Sequence, residues 1–247
     1  MIYILIVCMA AALLFALVRR TNILADKTSE TNLLYLAAVM GAFSVVYLIA
    51  SAAYLGHKTD MSCFSAWSDM IFKDGIRNFY TSDAFHDYPP GYMYVLYFIG
   101  ALKSLFGISG TAETVLLKIP SLACNLGSGY IIYKIAKKNF GEKASVWLCA
   151  LYLFNPAVIT NGALWGQVDA VYTFTVMCMI YLITQKRMIG SYFMFALCIL
   201  IKPQSLIFTP VLILGIAENL FINNFDIKNI VKNLLCGLGA ILALVLA

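Results

Sequence analysis

The stretch from His57 to Pro90 holds both histidines of the chain, His57 and His86, and five of its twelve acids: Asp60, Asp69, Asp74, Asp83 and Asp87. Carboxylates gathered on one water-facing segment can take a proton from a hydroxyl or hold a hard cation. A second polar island runs from Asn155-Pro156 through Asn161-Gly162-Ala163-Leu164-Trp165-Gly166-Gln167-Val168-Asp169. Gln167 and Asp169 supply hydrogen-bond donors and acceptors, and Trp165 offers a flat face of the kind that stacks on a sugar ring. A third, Ile201-Lys202-Pro203-Gln204, interrupts apolar sequence on both sides. A lysine at membrane depth costs about 2.5–3.5 kcal/mol on insertion scales, so Lys202 should face a polar cavity or an anion, with phosphate the preferred partner.

Each feature has a plainer alternative. Thr59 or Asp60 can cap a helix. Pro89-Pro90 can simply start one. Trp165 and Tyr88 suit an interfacial aromatic belt, and Lys202 can snorkel from a helix end. Asp87 sits where the loop re-enters lipid. Arg77 faces either lipid headgroups or a phosphate. Lys118-Ile119-Pro120 and Asn125 form a weaker polar patch. His57 and His86 lack partners at metal-like spacing and read as ordinary loop residues. No phosphate-cradling glycine loop, nucleophile elbow or HExxH helix occurs, which excludes a soluble nucleotide-binding domain.

These groups must be positioned by membrane helices. The chain is 62% hydrophobic and 12% charged, and its apolar runs approach the roughly 20 residues that cross a bilayer. The runs do not alternate, so helices rather than a barrel are expected. Eight or nine segments are expected: 1–18, 33–55, 91–106, 114–136, 144–160, 168–184, 189–201, 204–220 and 228–247. The expected organisation is an extra N-terminal helix and cytoplasmic loop over 1–32, a helical module over 33–227 with an external loop at 56–90, and the start of a further helix at 228–247. The last run breaks off at Ala247, which reads as a truncated chain.

Met61, Phe64, Trp67 and Ile71 recur at helical spacing until Asp74-Gly75, predicting an amphipathic helix lying in the membrane interface. Arg19, Arg20, Lys27, Lys134, Lys137, Lys138, Lys143, Lys186 and Arg187 mark the inside, leaving 57–90 and 161–169 outside on one face. That assignment closes only if 91–106, or the segment after it, does not cross completely. The +5 formal charge reflects cytoplasmic lysines and arginines rather than a nucleic-acid surface. The seven cysteines show no CxxC pair and no metal spacing, so no disulfide framework is expected.

Taken in order, Thr59-Asp60, Asp87-Tyr88-Pro89-Pro90, Asn155-Pro156, Trp165-Gly166-Gln167-Val168-Asp169 and Lys202-Pro203-Gln204 resemble the GT-C superfamily of polytopic glycosyltransferases that use polyprenyl-phosphate sugars. The likeness is to bacterial relatives of the GPI mannosyltransferases of the PIG-V type, and spans 33–220. Where many members carry paired acids, Asp60 is followed by Met61. The resemblance implies an all-α polytopic integral membrane fold, with Asp60 as catalytic base. It implies Asp87, Gln167 and Asp169 bordering the same cavity and Lys202 near the lipid phosphate; the residue types add Tyr88 and Trp165 at the sugar or acceptor and Arg77 as a second candidate for the phosphate.

The expected reaction is inverting transfer of a hexose, mannose foremost, from polyprenyl phosphate to a hydroxyl of a lipid or glycan acceptor. It would occur at the outer face of a bacterial inner membrane. A divalent metal, Mg or Mn, on Asp60 with Asp87 or Asp169 is compatible with these residues. The alternatives are a flippase or transporter of lipid-linked sugars, or a non-catalytic subunit of an envelope glycan complex.

Overall fold

The computed structural model describes residues 33–218 and 227–246. The expected helix at 1–18 and the basic groups Arg19, Arg20 and Lys27 lie outside the described residues. Among the described residues every regular element is helical, as the continuous apolar runs require.

Helix α1, Leu33–Ala53, has 21 residues and no charge. At about 1.5 Å per residue it matches the bilayer's hydrocarbon thickness. It buries Leu36, Phe43, Tyr47 and Ser51 and leaves Leu34 and Ile49 exposed at 72% and 65%, a surface suited to lipid rather than water.

Helix α2, Lys58–Asp74, buries Met61, Phe64, Trp67, Ser68 and Ile71, the stripe predicted from spacing. It ends where Gly75 adopts φ +82°, a conformation glycine takes without a Cβ clash. Neither Thr59 nor Asp60 caps it. The cap is His57, with no side-chain bond, and Asp60 sits in the first turn, where a carboxylate meets the positive end of the helix dipole.

A short helix, α3 (Ile76–Thr81), follows. Helix α4, Pro90–Phe106, starts at the Pro89-Pro90 pair and closes on Gly107 in the left-handed conformation. Together α2, α3 and α4 share a core of Phe64, Trp67, Ile71, Phe79, Tyr92 and Leu96. Each large side chain buried there stabilises by about 1.5–3 kcal/mol, more than a typical exposed ion pair.

Helix α5, Gly110–Asn139, is the long post of the bundle at 30 residues. Helix α6, Glu142–Leu153, continues after a break at Asn155 into α7, Pro156–Ile159, and a π-helical turn, Thr160–Trp165. The Asn155 side chain accepts from Ala157 N at 2.9 Å, an N-cap that fixes the 45° bend. Helices α8 (Asp169–Thr184) and α9 (Met188–Ile201) follow. A 3₁₀ segment (Pro203–Phe208), α10 (Thr209–Ala217) and α11 (Ile227–Leu246) complete the order.

Among the described residues two helices, α1 and α5, are long and apolar enough to cross a membrane. The bent α6–α7 pair passes that test jointly, while α8, α9 and the 203–217 pair are shorter apolar helices. The eight or nine expected crossings therefore reduce to fewer full-length spans among these residues.

Helix α4 is fixed by contacts at both ends. At its start, Gly91 packs so closely on the main chain of Leu200 and Ile201 that a Cβ would lie 2.7 Å from Leu200 O. Towards its end, buried Lys103 bonds Asp69 of α2 at 2.9 Å and Glu113 at the start of α5 at 2.7 Å. Gly100 lies against Ser68 of α2. The start of α4 thus meets the end of α9, and its later half is fastened to α2 and to the start of α5.

Candidate active site

Two loops meet at Asp60. The main-chain N–H of His57 donates to Trp165 O at 2.7 Å, joining the end of α1 to the π turn. Gly56 and Gly166 allow this approach. Gly56 has φ +88°, and a Cβ there would lie 2.7 Å from Trp165 O. Gly166 has φ +89°, and its Cβ would lie 2.3 Å from Met61 Sδ.

Asp60 Oδ2 accepts from Trp165 Nε1 and from Gln167 Nε2, each at 2.7 Å. Among the described residues its other oxygen, Oδ1, has no hydrogen-bond partner. The carboxylate is therefore anchored by one oxygen and open at the other, and is 24% exposed. His57 stands beside it, Nδ1 at 3.5 Å from Oδ2, with its ring stacked on the Trp165 indole at 5.1 Å between centroids.

Gln167 carries the network onward. Its Oε1 accepts from the Tyr88 hydroxyl at 3.2 Å, and its main-chain oxygen accepts from Ser121 Oγ of α5 at 3.0 Å. Burial holds the Tyr88 hydroxyl above its ordinary pKa, against the opposing pull of Lys202, so it stays a donor. The Lys202 ammonium lies 5.2 Å from the Tyr88 ring centroid and 5.9 Å from that of Tyr172. Lys202 bonds Asp169 Oδ1, and Asn161 Nδ2 donates to Asp169 Oδ2 at 2.9 Å. The helix α9 stops at Ile201 because Pro203 cannot continue it, and this break aims Lys202 inward. Beyond Tyr88 and Lys202 lies a cavity of about 340 Å³ lined by Asp87, Tyr88, Pro89, Lys202, Pro203 and Gln204.

Asp60, Tyr88, Trp165, Gln167, Asp169 and Lys202 thus form one connected constellation. Asp87 is exposed and lines the cavity. Arg77 is exposed on α3, and among the described residues no side-chain bond joins it to the others. The Trp165 ring, expected to present a bare face, is stacked on one side by His57 and bonded at its edge to Asp60, with 46% of the residue exposed.

Four neighbours were absent from the expected site: His57, Asn161, Ser121 and Lys118. His57 precedes Asp60 by one helical turn, a spacing that could have revealed it. The rarity argument that singled out Lys202 applies equally to Lys118.

For a metal, Asp60, Asp87 and Asp169 do not gather. Among the described residues no group of three His, Cys, Asp or Glu side chains stands close enough to hold one. Asp60 Oδ2 and both Asp169 oxygens are already engaged. The residues as arranged do not fit a carboxylate-held cation.

A family model described as dolichyl-phosphate-mannose-protein mannosyltransferase matches residues 87–247, well over half the chain. No curated protein and no solved structure matches it. The matched stretch contains Asp87, Tyr88, Trp165, Gln167, Asp169 and Lys202. Asp60 and His57 lie upstream of it and are bound to it by the 2.7 Å contacts above. The GT-C resemblance read from the sequence holds at the level of superfamily and mannosyltransferase type. A helical membrane chain with this match belongs to the dolichyl-phosphate-mannose-protein mannosyltransferase family, integral-membrane glycosyltransferases served by a lipid-linked sugar.

Proposed function

We propose that this glycosyltransferase moves a hexose, mannose foremost, from a polyprenyl-phosphate carrier to an acceptor hydroxyl at the outer face of the membrane, with Asp60 as base. The observation that carries the reading is the one-sided anchoring of Asp60. Trp165 and Gln167 fix Oδ2, and Oδ1 is left to take the acceptor proton.

In the proposed step the acceptor O–H bond breaks and its proton passes to Asp60 Oδ1. The oxygen attacks the anomeric carbon from the face opposite the phosphate. The carbon–oxygen bond to phosphate breaks, its electron pair goes to the phosphate, and the centre inverts. A lipid phosphate is a good leaving group, so no general acid is essential. Lys202, half enclosed by Tyr88 and Tyr172, offsets the charge that develops there, an effect that strengthens away from water. The cavity of Asp87, Tyr88 and Gln204 houses the phosphate end of the donor. Asp169 and Gln167 hold Lys202 and Asp60 in register, and such positioning alone supplies a large part of a rate enhancement. Arg77, on the exposed side of α3, is assigned to lipid headgroups.

The test supplies membranes carrying the protein with labelled polyprenyl-phosphate mannose and an acceptor extract. Asp60→Asn should slow donor consumption about 10²–10⁴-fold, the range for a lost general base. Wild-type turnover in that variant removes the base assignment. Movement of intact donor across the bilayer without cleavage would favour a transporter.

A further inference from the structure

Lys118 is fully buried in the bundle, at 1% exposure, and among the described residues no carboxylate pairs with it. Its Nζ instead donates to three main-chain carbonyls: Tyr54 at 2.6 Å, Ala163 at 2.8 Å and Ser51 at 3.3 Å. An ammonium has three N–H donors, and here all three are used. Ser51 and Tyr54 lie at the C-terminal end of α1, where carbonyls lack helical partners and the dipole is negative. Ala163 belongs to the π turn. One buried charge therefore joins three elements: α5, which carries it, the end of α1, and the turn that bears Trp165.

Everything that fixes Asp60 hangs from those two anchored segments. Two residues after Tyr54 comes Gly56, then His57, then the first turn of α2 with Asp60. Two residues after Ala163 comes Trp165, whose indole holds Asp60 Oδ2, and two after that Gln167, which holds the same oxygen. A Cβ built on Gly166 would stand 3.4 Å from Lys118 Cε. One turn along α5, Ser121 adds its bond to the Gln167 carbonyl. Among the described residues a single main-chain bond, from His57 N to Trp165 O, joins these segments directly, and the Lys118 ammonium adds a charged tie to three carbonyls across them.

We infer that Lys118 is a positioning residue of the active site: its ammonium holds the end of α1 and the Trp165 turn at the spacing that seats Asp60. The inference rests on Asp60 being the working carboxylate for its catalytic meaning, but the geometric claim stands apart from that role.

The experiment labels the full chain with 5-fluorotryptophan and reads the fluorine resonances of Trp67, Trp147 and Trp165, the last assigned by its loss in Trp165→Phe. Lys118→Met should move the Trp165 resonance and leave the other two in place. It should also lower kcat at least tenfold while the stoichiometry and affinity of donor-lipid binding hold. A Trp165 resonance unmoved overturns the inference, and so does Lys118→Met turnover within twofold of wild type where Asp60→Asn is itself slowed. If Lys118→Met broadens all three resonances, Lys118→Gln, which keeps donors but no charge, is read on the same criteria. Global collapse of both variants assigns Lys118 to the fold as a whole and also overturns it. Asp60→Asn, read in parallel, tests the base separately: normal turnover there with a shifted Trp165 in Lys118→Met would sink the base reading and leave the positioning role intact.

Discussion

At the scale of single residues, Asp60 is divided between an anchored oxygen and an open one, which suits the proposed role as base. Asp60 gives one oxygen to Trp165 and Gln167, so removing either donor frees the side chain to rotate. Trp165→Phe keeps the ring stacked on His57 but deletes the N–H. A hydrogen bond to a charged group is worth about 1.5–3 kcal/mol, so kcat should fall roughly 10–100-fold with little change in donor KM. Steady-state kinetics at varied donor checks this split. Lys202→Met removes the cation over the cavity and strands Asp169. Its kcat should drop about 10²–10³-fold, the usual effect of losing one charge-stabilising group. Donor binding should weaken as well.

Tyr80, on α3, donates to Tyr88 O at 2.7 Å, and burial pushes its pKa up from 10.0 to about 12. For a phenol raised on folding, the unfolded chain ionises first. The stabilisation is complete below pH 10 and is lost as pH rises from about 10 to about 12. Thermal melting in detergent should show that alkaline decline, and Tyr80→Phe should lower stability at neutral pH while flattening it.

Elements matter because two turns with positive φ must pass close to one another. Gly166→Ala forces a side chain into left-handed backbone and into Met61 Sδ. The conformational cost alone is about 1–2 kcal/mol, and the clash adds to it. Differential scanning fluorimetry should register the loss, with activity falling more steeply than stability because the Trp165 turn moves first. The layer of α2 and α4 has its own fastening in Lys103, buried between Glu113 and half-exposed Asp69. Ser65 and Ser68 supply additional acceptors.

For the molecule as a whole, the path of α4 decides which groups share a side of the membrane. In the proposed topology α4 does not cross, the α4–α5 connection shares a side with the 56–90 loop, and α5 then runs to the Tyr133, Lys137 and Glu142 cluster at its far end. In a cysteine-free background, Ser82→Cys and Ser109→Cys should both react with a membrane-impermeant maleimide applied from outside. Lys138→Cys should react only after permeabilisation. Labelling of Ser82→Cys and Ser109→Cys from opposite sides would show α4 to be a crossing helix.

Local patterns in the chain determined a good deal: the all-helical membrane class, the buried stripe of α2 from Met61 to Ile71, its stop at Gly75, the start of α4 at Pro89-Pro90, and the three polar islands. Those features follow from periodicity, backbone restriction and the cost of burying polar groups, which act over a turn or two and are therefore written locally. Tertiary structure alone decided that Asp60 meets Trp165 and Gln167, more than a hundred residues away, that His57 stacks on the indole, that Lys118 ties three elements together, and that α4 is fastened to α2 through Lys103. Each of these depends on where distant backbones come to rest, and no spacing along the chain encodes a distance between helices that packing, not sequence order, brings into contact.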